Sequence, residues 1–441
     1  MSDPAEARSR RWRDAVAVYC DRRQLVILLM GFASGLPLLL GFSTLSYWLS
    51  QAHVSLTAIG GLLAVSSPYA VKFLWAPVLD QVAPPRPLRR LGRRRGWLLA
   101  IQLLLMIAIA ALGFGDPKQG LGYIAAMALV VAFLSASQDI VIDAYRIEIL
   151  TAAEQGAGAA MTQTGYRFGL LAAGAGALAL SDYIPWLWIY GLMAALMVVG
   201  LVATLIAKEP SPPAGAPAPD RPDVPVTERA VRWLRHAAVE PLTEFLGRPG
   251  ALWILLFVLL YKYGDAVAGA MANPFYQQMG FSGVEIAEVT KILGVVATLG
   301  GVFAGGALVA RFGTVAALIV GGVLQAATNL LFAWLAVAGH DIPLLAAAVS
   351  ADSFTGGLGS AAFVAYLSAL CNVAFTGTQY ALLTSLMAVG RTVLATSAGF
   401  LVDEIGWVGF FIATTGLAVP GLLLILWLRR LERRLAPAAQ L

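Results

Sequence analysis

Apolar runs long enough to cross a hydrocarbon layer of roughly 30 Å recur about twelve times between residues 24 and 428 of this 441-residue chain. Inside lipid no water bonds the backbone N–H and C=O groups, so every crossing must be a helix or a strand of a closed barrel. These runs are uniformly apolar over span length rather than alternating over short stretches, which selects helices. The expected fold is therefore an all-α membrane protein. Composition agrees: 12% of residues are charged, against about 25% in a soluble domain.

Arginine is distributed unevenly among the connections. It crowds "RSRRWRD" and "DRR" before the first run, "PRPLRRLGRRRG" after the second, Arg221, Arg229, Arg232, Arg235 and Arg248 in the middle, and "RRLERR" at the end. The alternate connections, "LSQAHVSL", "GDPKQG", "SDYIP", "GHDIP" and "DEIG", contain Lys118 and no Arg. The positive-inside bias then predicts cytoplasmic N- and C-termini and an even number of crossings. Nucleic-acid binding is a poor reading of this charge, because the basic segments alternate so regularly with apolar runs. No cleavable leader is expected, since the first apolar run is of span length. Cys20 and Cys371 both map to the reducing side, where no disulfide is expected.

The Pro-rich stretch "KEPSPPAGAPAPDRPDVP" cannot pack a core and divides the crossings six and six. The expected organisation is a basic cytoplasmic tail (1–23), a six-helix bundle (24–207), a cytoplasmic linker with an interfacial amphipathic helix (208–250), a second six-helix bundle (251–428) and a cytoplasmic tail (429–441). The amphipathic helix is read from Val231, Leu234, Leu242, Phe245 and Leu246 set against Arg229, Arg232 and Arg235. The halves echo one another. "FLSASQDIVIDAY" and "FTGGLGSAAFVAY" share Phe and Ala-Tyr at equal separation, and "TGYRFG" and "AVGRTV" each place one Arg at depth. "LWAPVLD…LGRRR" and "GGALVARFG" resemble the Gly/Asp/Arg cytoplasmic loop of the major facilitator superfamily, which predicts two pseudo-symmetric bundles. The first has an insertion between Asp80 and Gly92, and the second lacks the Asp.

An ionisable group in the bilayer costs several kcal/mol unless it faces protein or water, so each is a functional candidate. The candidates are Lys72, Asp139, Asp143, Arg167, Lys262, Asp265, Lys291 and Arg391. Asp139, Asp143 and Arg146 fall on one helical face, as do Lys262 and Asp265. Paired carboxylates near a cation can take up and release one proton, so Asp139, Asp143 and Asp265 are the coupling candidates. An inert ion pair uses the same residues. Asp143 with Arg146, and Asp80 with Arg93, Arg94 and Arg95, are read as cytoplasmic ion pairs, Asp139 fits either role, and Lys291 is read as a solvated rim residue. Arg167, Lys262 and Arg391 lie too deep to snorkel fully and are read as cavity cations, with Lys72 and Gln138 beside them. His53, His236 and His340 all lie outside the crossings and no phosphate-binding loop occurs, so no metal, cofactor, enzymatic or ATP-driven chemistry is expected.

"GFASGLPLLL", "SPYAVKFLWAPVLD", "SASQDIVIDAYRIE", "TGYRFG" and "LLYKYGDA" give the chain a resemblance, over nearly its whole length, to the AmpG-type muropeptide permeases of the major facilitator superfamily. The resemblance implies proton-driven import of N-acetylglucosaminyl-1,6-anhydro-N-acetylmuramyl peptides across the bacterial inner membrane for peptidoglycan recycling, with an indirect role in β-lactamase induction. It also matches Asp139 and Asp143 to the family's acidic pair. The Pro-rich linker has no counterpart in it. Such a substrate needs cations for carboxylates and aromatic faces for sugar rings. Tyr69, Tyr166, Trp75, Tyr261 and Tyr263 are the aromatic candidates, with Phe275 and Tyr276, while Tyr47 and Trp48 read as belt residues. Expected partners are this small-molecule glycopeptide and membrane lipid, not nucleic acid, with the chain acting as a monomer. The rival readings are a transporter of another large anion such as acetyl-CoA, and a facilitator-fold sensor that no longer transports.

Overall fold

The computed structural model describes residues 12–211, 235–394 and 398–435, and among them there is no strand. After a short helix at Trp12–Ala17 the crossings are α1 Arg22–Gln51, α2 Thr57–Leu74, α3 Arg93–Gly113, α4 Gly122–Ile149, α5 Gln155–Leu171 with its continuation to Ser181, α6 Trp186–Ile206, α7 Ala251–Gln278, α8 Gly283–Phe312, α9 Thr314–Ala338, α10 Ile342–Leu370, α11 Thr376–Leu394 and α12 Ala398–Arg430. Ten of these helices are long and apolar enough to cross a membrane. The other two, α5 and α11, carry more polar residues and complete the dozen expected. α12 is divided at Gly406, where φ is 67°. That break falls within "DEIG", the connection read from sequence, so residues 398–405 precede the turn.

Lipid tails are as apolar as Leu, so crossings associate by close van der Waals contact between small residues. α1 lays Gly31 and Gly35 on the backbone of Thr162 and Tyr166 of α5, and α5 returns Gly165 and Gly169 against Leu28 and Phe32. A Cβ added at Gly165 would lie 1.9 Å from the Leu28 carbonyl oxygen. In the second half Gly301 and Gly305 of α8 lie against Phe354 and Leu358 of α10, and a Cβ at Gly301 would sit 1.8 Å from the Phe354 oxygen. Gly156 and Gly306 bring α5 and α8 together across the halves. The Tyr19 hydroxyl, from the segment before α1, donates to the Phe303 carbonyl at 2.8 Å.

Two crossings are irregular. α2 passes through a tight turn at Lys72–Leu74, next to Pro77 at the head of the following segment. α7 is built from Ala251–Leu260, Tyr263–Ala270 and Ala272–Gln278, separated at Tyr261–Lys262 and at Met271. Of the expected interfacial helix, Val231, Leu234, Arg229 and Arg232 lie outside the described residues. Its described part ends in a short helix, Glu240–Leu246, folded onto the start of α11, with Pro241 and Phe245 buried and Leu242 and Leu246 exposed. Trp48, expected in the interfacial belt, is instead buried and stacked on Trp186, at a centroid distance of 5.6 Å.

Gly165→Ala and Gly301→Ala are each expected to destabilise the detergent-solubilised protein by roughly 1–3 kcal/mol through overpacking. Gly191→Ala, where a Cβ meets nothing within 4 Å, serves as the neutral comparison. Equal thermal midpoints for all three variants would remove the close-contact account.

Candidate functional site

At the Arg-rich end the halves are joined by one carboxylate. Asp80, 1% exposed, follows α2 and receives Arg94 Nη2 at 2.8 Å from its own half. It also accepts from the other half: the Gly377 N–H at 3.2 Å, the Thr378 N–H at 2.6 Å and the Thr378 hydroxyl at 2.7 Å. Those amides open α11, so the carboxylate sits on a helix N-terminus, where unsatisfied donors and the helix dipole favour negative charge. Arg93 and Arg94 both pair with Glu148 at the end of α4. The Arg94 and Arg95 amides donate to Glu209 at 2.8 and 3.0 Å, and the Arg95 guanidinium caps the Thr204 and Leu205 carbonyls of α6. Arg146, fully buried, adds a second bridge between halves: it contacts Asp143 at 3.3 Å, Gln155 at 3.1 Å and Ser368 of α10 at 3.0 Å, and lies over the Tyr380 ring. Of the expected ion pairs, Asp143 with Arg146 and Asp80 with Arg94 are formed, whereas Arg93 donates to the Asp80 main-chain carbonyl and pairs with Glu148 and Arg95 turns to Glu209 and α6; Glu148, Glu209 and the α11 amides are partners that sequence reasoning missed. Glu148 stands in the same quoted stretch as the acidic pair, but backbone amides leave no trace in a sequence.

Further into the bilayer, α4 presents Asp139. Its Oδ1 accepts from Ser34 of α1 at 2.6 Å, and Lys72 of α2 and Asp143 are the charges acting on it. Tyr69 and Ser135 border the same group. Lys72 is half-buried and has no ion-pair partner among the described residues. Gln138 is fully buried and donates to the Ala33 carbonyl at 2.9 Å, tying α4 to α1. Trp75 donates to Ser137 at 3.0 Å and packs on Phe133, tying α2 to α4. Arg167 is exposed and, among the described residues, has no ion-pair partner. Lys291 is also exposed. Tyr166 is half-buried on α5, and the side chain of Arg391 lies outside the described residues.

In the second half the α7 break places Lys262 Nζ 3.0 Å from Asp265 Oδ2. Tyr261 is buried, donates to the Leu318 carbonyl at 2.9 Å and stacks on Phe363, while Tyr263 packs into the apolar core behind. Opposite stands Asp352 of α10, a third acidic group at depth that sequence reasoning passed over. Its Oδ1 accepts from Gln325 at 2.7 Å and Thr328 at 3.3 Å, and Thr355 holds Gln325 at 2.8 Å. The rule that singles out Asp139 also applies to Asp352, which interrupts the apolar run "LLAAAVSADSF". Acidic groups at depth are therefore not confined to the first half, although α10 has no charge opposite positions 139 and 143.

A model of the Major Facilitator Superfamily matches residues 25–338 and 263–440. The anhydromuropeptide permease of Escherichia coli (strain K12) is 43% identical over 415 residues, spanning 94% of this chain and 81% of that protein. The chain belongs to the AmpG-type permeases of the major facilitator superfamily. Putative transporter AmpG 4 of Rickettsia felis is 33% identical, spanning 94% of this chain and 98% of that protein. Two solved structures share the fold. The E. coli fucose:proton symporter FucP has a TM-score of 0.66 at 13% identity, covering 95% of this chain and 99% of that one. The human organic anion transporter TETRAN has 0.62 at 17% identity, covering 95% and 100%. This AmpG-type chain is thus a multi-pass membrane protein of a transporter family and not an enzyme.

One more contact ties the linker of this AmpG-type chain to the joined end. Glu244 pairs with Arg248 at 2.7 Å and accepts from Gln379 of α11 at 2.6 Å, and Arg248 donates to the Leu370 carbonyl. Burial pushes the Glu244 carboxyl up, but the hydrogen bonds from Arg248 and Gln379 outweigh it and hold the group below its usual range. A depressed carboxyl stabilises the folded arrangement above its free value of about 4.3, and this is lost as pH falls through the lower folded value. Hydrogen exchange of the 240–248 amides, corrected for intrinsic rate, should therefore stay slow from neutral pH to about pH 4 and accelerate below it. Exchange that accelerates already near neutrality would sink this account. For the joint itself, a Cβ at Gly377 would lie 2.7 Å from Asp80 Oδ1, so Gly377→Ala should part the halves. Asp80→Asn should do the same, because it removes the charge that pairs with Arg94 and turns an amide donor towards the N–H of either Gly377 or Thr378. Breaking a buried ionic contact costs about 3–5 kcal/mol, so exchange at 377–380 is expected to rise by roughly a hundredfold to a few thousandfold in both variants. Unchanged exchange would show that Asp80 does not hold the halves together.

Proposed function

We propose that this protein imports N-acetylglucosaminyl-1,6-anhydro-N-acetylmuramyl peptides from periplasm to cytoplasm across the bacterial inner membrane, coupled to proton entry, for peptidoglycan recycling. The observation that carries the reading is the contrast between two levels of the molecule. At the Arg-rich end, read as cytoplasmic, every buried charge has a partner and the halves are joined through Asp80 and Arg146. At mid-depth Lys72 and Arg167 have no carboxylate partner among the described residues, and Asp139 is held by one hydroxyl. Free cations suit the carboxylates of a stem peptide, and a carboxylate whose one hydrogen-bond donor among the described residues is Ser34 can exchange a proton without dismantling a network. The relative named an anhydromuropeptide permease supports the substrate class. Returning muropeptide to the cytoplasm would link the protein indirectly to β-lactamase induction.

Transport would proceed by exchange of the joined end. Substrate carboxylates settle on Lys72 and Arg167, a proton reaches Asp139, and neutralising that carboxylate removes its attraction for Lys72. The halves then separate at Asp80 and Arg146 to release the cargo.

In proteoliposomes, labelled anhydromuropeptide should accumulate under an inward proton gradient and cease to do so with a protonophore, while counterflow persists. Asp139→Asn keeps shape and hydrogen bonding but cannot release a proton, so it should lose accumulation and retain counterflow. Arg167→Ala should raise the KM about tenfold or more, the effect of one charge-assisted hydrogen bond. Uptake of labelled acetyl-CoA instead would favour the large-anion reading, and no uptake of either would favour a sensor. Full accumulation by Asp139→Asn would move the coupling proton to another carboxylate.

A further inference from the structure

Before it enters α1, the chain rests on the other half of the molecule. The short helix Trp12–Ala17 lies against the Arg-rich end of α8, with Ala15 buried and Trp12 edge-on to Phe312 at a centroid distance of 5.7 Å. Tyr19 then meets Phe303 ring to ring at 5.2 Å, and its hydroxyl donates to the Phe303 carbonyl at 2.8 Å. Trp12 faces the end of α8 and Tyr19 faces its middle, so the segment runs antiparallel to that helix. Tyr19 also packs against the cluster of Ala160 from α5, Val302 from α8 and Ala361 from α10. Gly306 makes room for it: a Cβ there would collide with the Tyr19 hydroxyl and press on the Gly156 carbonyl of α5. Tyr19 therefore fills the seam where α5 of one half meets α8 of the other.

The same stretch is fastened to the first half immediately afterwards. Asp21 caps α1 by accepting from the Arg23 amide at 2.7 Å. Arg23 pairs with Glu154, just before α5, at 2.7 Å and donates to the Ile149 carbonyl at the end of α4 at 3.0 Å. A residue of extended chain spans at most about 3.3–3.6 Å, and a single residue separates Tyr19 from Asp21, so this connection has almost no slack. Parting α5 from α8 by more than the roughly 7 Å that two residues can span must pull Tyr19 off Phe303. The carboxylate of Asp80 joins α2 to α11, whereas this fastening lies on α5 and α8 and is independent of it.

We propose that residues 12–20 form a clasp that holds the Arg-rich end shut and must leave α8 each time that end opens, so that its grip sets how often the end opens. The release step rests on the transport reading; the grip rests on the contacts alone, and the two are tested separately. Tyr19→Phe keeps the ring and removes the donor, and Trp12→Ala removes the aromatic pair. In the purified full-length protein each should raise hydrogen exchange at 377–380, on the far seam, by about two- to tenfold. Amides inside α9, which report global unfolding, should be unchanged; a merely local role for the segment would quicken exchange at 12–20 and leave 377–380 alone. In the second arm, Trp12→Cys and Phe312→Cys are combined with Cys20→Ser and bridged by a short bifunctional methanethiosulfonate. Bridging should abolish muropeptide uptake in proteoliposomes, and reduction should restore it to the level of the unbridged variant. Wild-type exchange at 377–380 in both Tyr19→Phe and Trp12→Ala overturns the clasp, and so does full uptake by the bridged protein. A wild type that takes up no muropeptide, with exchange at 377–380 raised in Tyr19→Phe, overturns the transport reading and leaves the clasp standing.

Discussion

Asp80 is a buried carboxylate shared by two halves of one chain. Taking a charge out of water costs several kcal/mol, and only good geometry with every lone pair satisfied returns it. Here one oxygen faces Arg94 and the Gly377 amide, and the other faces the Thr378 amide and hydroxyl. Neither half alone satisfies the group. Separating them leaves a carboxylate beside Arg94 with three of its four donors gone, and leaves the first amides of α11 without an acceptor. Glu148 and Glu209 hold Arg93, Arg94 and Arg95 in place, so the joint extends through the Arg-rich end back to α4 and α6.

Deeper in the bilayer the arrangement is looser. Lys262 has Asp265, but Lys72 and Arg167 have no carboxylate partner among the described residues, and Asp139 has one hydroxyl. An ionisable group in hydrocarbon is costly unless it faces protein or water, which is why the proposed function places the substrate and the proton at these groups. Aromatics divide by the same logic. Trp75 and Tyr261 each donate a hydrogen bond to a neighbouring helix and serve packing, whereas Phe275 and Tyr276 border open space.

Much of this architecture is legible in the sequence, for a physical reason. Span length is fixed by bilayer thickness, and the Arg-rich and Arg-poor connections alternate with the crossings. α5 and α11, more polar than the rest, are legible mainly through the echo of "TGYRFG" and "AVGRTV". The pairing of Asp143 with Arg146 and of Lys262 with Asp265 follows from helical spacing. What the sequence hides are partners brought in from far along the chain. Asp80 meets residues nearly 300 positions away through backbone amides, and Gln138 donates to the Ala33 carbonyl 105 positions earlier. Asp352 is a different case: it stands in the apolar run of α10 and was readable by the rule that identified Asp139.

The two interruptions of α7 bear on timing. An unbroken helix carries a tilt along its length as a stiff rod, while one interrupted at Lys262 and Met271 bends there at little cost. Its lower segment is fixed by Phe257 packed edge-on to Phe363 and Tyr366, and residues 272–278 are anchored separately, with Phe275 edge-on to Phe411 and Gln278 accepting from Trp407. In the proposed cycle the two ends would then part through separate events, one bending α7 at its interruptions and the other rupturing the buried ionic contacts of Asp80.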